Sequence, residues 1–282
     1  MFIIRRACNA LSVFSFSLIF FLPGMVIADE NSGAVPAQSD RISIEYAKGF
    51  FTDTGKIVAS PIDWNGDDWL KAGLVVAATT GIYFADTDIK RFAQRNQSSA
   101  GDSLASLGNA LGSPAYTLPS LGLFYLYGHL AEDQKARRSS LLAAESLVIS
   151  GVFTVSLKLA TQRPRPQISD SSGKWYASGL SANDISFPSS HTTAAFSLAS
   201  VFAEEYGDNP YVPPIAYGLA SLTAFARIYD NKHWASDVFF GGAIGYFVGK
   251  AVVSYHTKGN SSMMILPTAT SQGMGVTALY RF

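Results

Sequence analysis

Charged side chains make up only 15% of the 282 residues, against about 25% in an average soluble domain. Aromatics, at 13%, are well represented. A disordered polar chain is thereby excluded, and contact with an apolar phase is expected. Neither sign of charge prevails, since 21 Lys and Arg face 21 Asp and Glu. No basic footprint for nucleic acid results, and a nucleic-acid partner is not expected. Cysteine is nearly absent. The single one, Cys8, lies in the N-terminal segment, so the remaining chain has no disulfide framework, thiolate metal site or cysteine nucleophile. Long Val/Ile/Thr-rich alternating runs are missing from the body of the chain, and so is any period of about 20 to 50 residues. A repeat array and a β architecture are both disfavoured.

What is present is apolar and helical in pattern. Arg5 and Arg6 precede a charge-free run from Ala7 to Ala28, which ends in Val26-Ile27-Ala28 before Asp29-Glu30. That is the order of an export signal, basic, apolar and then small. Pro23-Gly24 breaks the apolar helix and favours a cleaved signal peptide over a retained signal anchor for residues 1–28. Residues 29–68 read as a polar leader. About six apolar stretches follow, at 69–85, 111–130, 141–157, 192–203, 212–226 and 236–254. They predict an all-α bundle over 69–255, transmembrane where the stretches approach the ~20 residues a perpendicular span requires. Gly241, Gly245 and Gly249 recur every fourth residue, which puts them on one helix face where a second helix can approach closely. The tail, 256–282, holds two short β-prone runs around Ser271-Gln272-Gly273, consistent with a hairpin or simply a packed tail.

Lys135, Arg137 and Arg138 between the second and third stretches place that loop in the cytoplasm and the 158–190 loop outside. Six spans would then leave Asp29 inside, in conflict with an exported N-terminus. Either the first segment is a retained anchor, or one stretch lies flat or re-enters. Asp63-x-Asn65-x-Asp67 has the opening of a calcium loop, but Asp68 and Leu74 stand where Gly and Glu are needed. A turn and helix start is the better reading.

Three clusters carry chemistry. Lys158 and Gln162-Arg163-Pro164-Arg165-Pro166 end the third stretch, where the prolines stop the helix and stiffen the loop. Two cations thereby converge at a helix end, although interfacial anchoring would use the same residues. Pro188-Ser189-Ser190-His191-Thr192-Thr193 opens a small-residue helix. Its free amides and positive end form a phosphate pocket beside His191, or a plain N-cap with an incidental histidine. Arg227, His233 and Asp237 form the third, with His233 and Asp237 four residues apart. On a helix the carboxylate would accept from one ring nitrogen and leave the other basic, as a His-Asp pair for nucleophilic or acid-base work or as a structural bond.

In this order, Lys158-x6-Arg165-Pro166, Pro188-Ser-Ser-His191 and Arg227-x5-His233-x3-Asp237 resemble the three-part signature of the type 2 phosphatidic acid phosphatase/vanadium haloperoxidase superfamily. The resemblance runs from about Lys71 to Ser254. Two positions depart from it: Ser190 stands where the family commonly has Gly, and Ala226 where Ser often precedes the Arg. The resemblance implies that His233 attacks phosphorus to form a phosphohistidine, with Asp237 fixing its tautomer. His191 would protonate the leaving oxygen and later activate water. Lys158, Arg165, Ser189, Ser190 and Arg227 would bind the phosphoryl oxygens. It implies no metal and no cofactor, and only four histidines exist, His129, His191, His233 and His256. The expected protein is a multi-pass membrane phosphatase whose substrate is a lipid phosphate or diphosphate, with its site facing the exported side; protein partners are not readable. A soluble exported acid phosphatase, a haloperoxidase and a non-catalytic lipid-binding scaffold are the alternatives.

Overall fold

The computed structural model describes residues 40–176, 181, 183–258, 263–270 and 273–280. The expected signal segment and the first part of the leader, 29–39, lie outside these residues. Among the described residues eight α-helices follow one another: α1 (Ile44–Ala59), α2 (Gly66–Arg95), α3 (Ser99–Leu111), α4 (Pro114–Leu130), α5 (Gln134–Thr161), α6 (Ser190–Glu205), α7 (Val212–Tyr229) and α8 (Ala235–Lys258). The described residues of the tail, Met263–Thr270 and Gly273–Tyr280, run as two antiparallel strands.

Local chemistry explains most of the boundaries. Asn65 accepts from the amides of Asp67 and Asp68, and the Asp68 carboxylate accepts from the Asn65 amide, closing a capping box at the start of α2. The Asp63-Asn65-Asp67 motif is therefore a turn and helix start. Ser98 and Asp133 cap α3 and α5 in the same manner. Pro164 and Pro166 follow α5, and Gln162 closes it in the left-handed conformation.

Two helices were not expected. α1 occupies part of the segment read as a polar leader. Ser43 caps it through the Tyr46 amide, and Phe50 and Ile57 give it an apolar stripe that docks on the core. α3 escaped the hydropathy reading because its buried residues are small, Gly101, Ala105, Gly108 and Ala110.

The core lies between α5, α6 and α8, where Leu142, Ile149, Leu198, Val201, Val248 and Val252 pack together. Each such side chain contributes about 1.5–3 kcal/mol on burial. The glycine stripe is the seam of this core. A Cβ on Gly245 would stand 2.2 Å from the Thr193 carbonyl oxygen and 2.7 Å from the Ser197 amide, and one on Gly249 would meet Ser200 at 2.7 Å. Ser189 just before α6, with Thr193, Ser197 and Ser200 on it, faces these glycines, while the Phe196 ring packs against Gly242. On the other side of α6, Ala195 and Ala199 receive Ala220 of α7.

α5 and α8 are long and apolar enough to cross a membrane. α4 and α6, at 17 and 16 residues, fall short of a perpendicular span. Large apolar side chains nevertheless face outward. Val148, Val152, Val155 and Leu159 lie 50–63% exposed along one face of α5, beside outward Leu118, Leu123 and Leu126 on α4. The basic residues at the start of α5 are not free charges. Arg137 and Arg138 are buried against Asp40 and Glu205, and Lys135 pairs with Asp208.

Gly245→Ala is expected to lower stability by about 1–3 kcal/mol, since backbone rather than a flexible side chain must yield. Thermal unfolding in detergent should show a loss of several degrees. Gly151→Ala, where nothing lies within 4 Å, should hold or raise the midpoint.

Candidate active site

The three sequence clusters meet at one end of the bundle. The loop after α5 runs beside the segment before α6. Pro164 bridges to Ile185, the Ser186 amide donates to the Arg163 carbonyl at 2.7 Å, and the Arg165 amide donates to the Asp184 carbonyl at 3.0 Å. Lys158, in the last turn of α5, donates to the carbonyls of Ile185 and Ser186, both at 3.0 Å. The lysine thus holds the loop that leads into Pro188-Ser189-Ser190-His191.

Ser189 precedes α6 and is fully buried. Its hydroxyl pairs with Thr192 at 2.9 Å rather than capping the helix, and its amide donates to the Asp237 carbonyl at 3.0 Å. Ser190 and His191 begin the helix with amides that no carbonyl inside it can receive. Ser190 is exposed, so the serine that replaces the usual glycine meets open space. The α3–α4 turn presses on His191: a Cβ on Gly112 would stand 2.8 Å from the His191 carbonyl oxygen and 3.1 Å from its Cβ.

Arg227 ends α7. Nη1 donates to Asn109 of α3 at 2.5 Å, while the buried Nε has no hydrogen-bond partner among the described residues. A buried guanidinium N–H without an acceptor is costly unless an anion completes it. The Ala226 departure has a packing reason, because Gly108 and Ala226 bring α3 and α7 into a contact with no room for a larger residue.

His233 and Asp237 do not share a helix, since α8 begins at Ala235. His233 sits in the preceding turn, its amide donating to the Arg227 carbonyl at 3.1 Å. His233 Nδ1 and Asp237 Oδ2 are 3.7 Å apart, too far for a hydrogen bond. Ser186 fills the gap: its hydroxyl donates to Asp237 Oδ2 and lies 3.3 Å from His233 Nδ1. With the hydroxyl hydrogen given to Asp237, the serine oxygen is left to accept from Nδ1–H, so Nε2 is the nitrogen without a proton.

Asp237 is itself held by residues that no spacing pattern singled out. Arg163 Nη1 donates to its Oδ1 at 2.5 Å, and the Trp234 amide donates to Oδ2 at 2.9 Å. The second Arg163 nitrogen donates to Asp86 of α2 at 2.6 Å, and Asp86 also accepts from the Ser236 amide and hydroxyl. Tyr83, Trp175 and Trp234 place their rings 4.8–5.4 Å from the guanidinium carbon. The sequence offered one hint, an arginine directly before Pro164. Asp86, Ser186 and Asn109 gave none.

Burial, followed by the charges of Arg227, Arg165 and Lys158, pushes His191 down to about 4. Burial and the same cations, with Lys158 foremost, hold His233 well below the usual histidine value. Both rings are thereby biased toward the neutral form in the anion-free site, and the arginines are its surplus positive charge. The arrangement is suited to bind a tetrahedral oxyanion and to present a neutral imidazole nitrogen to it.

Several known proteins are similar to this chain. The PAP2 superfamily model matches residues 139–261. The lipid A 1-phosphatase of Porphyromonas gingivalis is 44% identical over 79 residues, which are 28% of this chain and 17% of that protein's length. A transmembrane PAP2-type phosphatidylglycerolphosphate phosphatase from Bacillus subtilis superposes with a TM-score of 0.51 at 18% identity, covering 76% of this chain and 96% of that one. It shares the helical fold. LpxE of Aquifex aeolicus gives a TM-score of 0.47 at 24% identity, over 60% of this chain and 95% of that one.

A bound dianion should raise the depressed His191, so at pH 5–6 sulfate, which does not itself titrate there, is expected to bind with proton uptake. Calorimetry in buffers of different ionisation enthalpy measures it. His191→Asn should remove most of the uptake; an unchanged value would show that another group takes the proton.

Proposed function

We propose that this protein is a membrane-embedded phosphatase that hydrolyses a lipid phosphate or diphosphate through a phosphohistidine, without a metal at the reacting centre. The observation that carries the reading is the joining of His233 to Asp237 through Ser186 beside the cluster of Lys158, Arg165, Arg227 and His191. The outward apolar faces of α4 and α5 support a membrane setting over a soluble acid phosphatase.

In this mechanism the phosphoryl group sits on the first-turn amides of α6, with Ser189, Ser190, Lys158, Arg165 and Arg227 on its oxygens. His233 Nε2 forms a bond to phosphorus as the bond to the lipid oxygen breaks, and Nδ1–H remains directed at Ser186. His191, protonated once the anion is bound, gives its proton to the leaving oxygen. It then takes a proton from water, which attacks phosphorus and breaks the P–N bond, releasing inorganic phosphate and restoring both rings. Ser186 and Arg163 act through Asp237, holding the nucleophile's tautomer and position. The proposed site faces the exported side, in keeping with the signal-like residues 1–28. The named relative favours a glycolipid phosphate, and phosphatidate, phosphatidylglycerophosphate and isoprenoid diphosphate complete the set to be tested.

Phosphate release by the purified protein in EDTA, from these lipids in detergent and from a water-soluble aryl phosphate, tests the proposal. Release is expected from lipid and persists with chelator. Preference for the aryl ester would identify the soluble acid phosphatase, and vanadate-dependent bromide oxidation the haloperoxidase. His233→Ala should abolish turnover with the fold intact. Ser186→Ala should lower kcat on the order of 10- to 100-fold while leaving KM nearly unchanged, because the serine acts through the nucleophile and touches no substrate. Equal turnover in His233→Ala would remove the nucleophile.

A further inference from the structure

A second titratable cluster lies away from the phosphate site. Glu145 is 13 residues before Lys158 on α5, or about 20 Å along the helix. Its carboxylate meets Asp53 of α1 and His256 near the end of α8. Glu145 Oε2 is 3.0 Å and Asp53 Oδ2 3.3 Å from the same atom, His256 Nε2. Tyr46 donates its hydroxyl to Glu145 Oε2 at 2.8 Å. Lys56 donates to the other Asp53 oxygen at 2.8 Å, which turns Oδ2 toward the histidine.

The cluster is short of donors. One ring N–H, if it is there, faces two carboxylate oxygens and can serve only one of them well. The Glu145 side chain is 1% exposed, yet its Oε1 accepts no hydrogen bond among the described residues. An unpartnered carboxylate oxygen at that depth is expensive, and a cation is what such a group lacks. The distances match one. With bonds of about 2.0–2.1 Å, the donor atoms around a tetrahedral zinc ion stand about 3.3 Å apart, close to the 3.0 and 3.3 Å separations at His256 Nε2. All three ligand atoms lie within 4.8 Å of one another. One imidazole and two carboxylates form a common donor set for zinc, with water or the Tyr46 hydroxyl available for the fourth position.

We propose that Asp53, Glu145 and His256 bind one divalent cation of the zinc type, which clamps α1 to α5 and α8 at the end of the bundle opposite the phosphate site. Its role is structural. The inference does not rest on the phosphatase reading, and the clamp supplies no group to the reaction.

The test uses full-length protein in detergent, stripped with chelator and titrated with Zn(II) against a chromogenic chelator, with thermal unfolding and the visible spectrum of the Co(II)-loaded protein as second readouts. One equivalent should bind, the thermal midpoint should rise, and Co(II) should give the intense absorption of a four-coordinate site. His256→Gln and Glu145→Gln should weaken binding on the order of 100-fold and erase the thermal response, while His233→Ala, at the phosphate site, retains both. If either variant fails to fold, Asp53→Asn and the wild-type Co(II) spectrum decide. No stoichiometric binding, equal binding in the His256 variant, or loss of binding in His233→Ala would overturn the proposal. So would a thermal midpoint that responds to pH but not to zinc, which identifies a proton shared between histidine and carboxylates.

Discussion

The Arg163 guanidinium, buried between Asp86 and Asp237, joins three parts of the chain that are far apart in sequence. It comes from the loop after α5, Asp86 from α2 and Asp237 from the first turn of α8. All three side chains are fully buried, and removing one partner from such a set costs about 3–5 kcal/mol because it leaves a charge without solvent. Three aromatic rings and Ser236 complete the guanidinium's surroundings. Everything near the candidate nucleophile is referred to this point. Asp237 is fixed by Arg163, Ser186 by Asp237, and His233 by Ser186. A surface pair would be worth too little to impose such a chain of positions.

The second constraint is steric. The amides at the start of α6 can stand beside Asp237 only if α6 and α8 nearly touch, and glycine at 241, 245 and 249 permits it. The same closeness lets the Ser189 amide bond the Asp237 carbonyl. Packing along the seam therefore sets the separation of two elements of the candidate site, and a methyl group deep in the bundle would be felt there.

The sequence and the structure agree where chemistry depends on residue type at fixed spacing. The three clusters, the glycine face and the Asn65 helix start could be read because each has a local geometric reason. What could not be read is long-range. Asp86, Asn109 and Ser186 act by meeting Arg163, Arg227 and His233 across about 47 to 118 positions, and no periodicity encodes that. The His233-Asp237 spacing misled in detail, because four residues imply a shared helix face only when both residues are helical. α3 was hidden by alanine and glycine, which bury well but barely register as hydrophobic. The pairing at the basic start of α5 was equally hidden, since Arg137 and Arg138 meet Asp40 and Glu205 only in the fold.

α5 ties these observations to the membrane reading. Arg138 and Lys158 are 20 residues apart on it, about 30 Å, which matches the thickness of a bilayer's hydrocarbon core. Between them Val148, Val152 and Val155 face outward while Glu145, Ser146, Ser150 and Thr154 are buried, so the outward face is apolar where the polar residues turn inward. On the proposed reading, phosphate chemistry lies at one interface, where a lipid headgroup is already held, and the acyl chains need never leave the hydrocarbon. The enzyme then has to desolvate only the phosphoryl group, and the buried cations of the site are arranged to replace the water it loses.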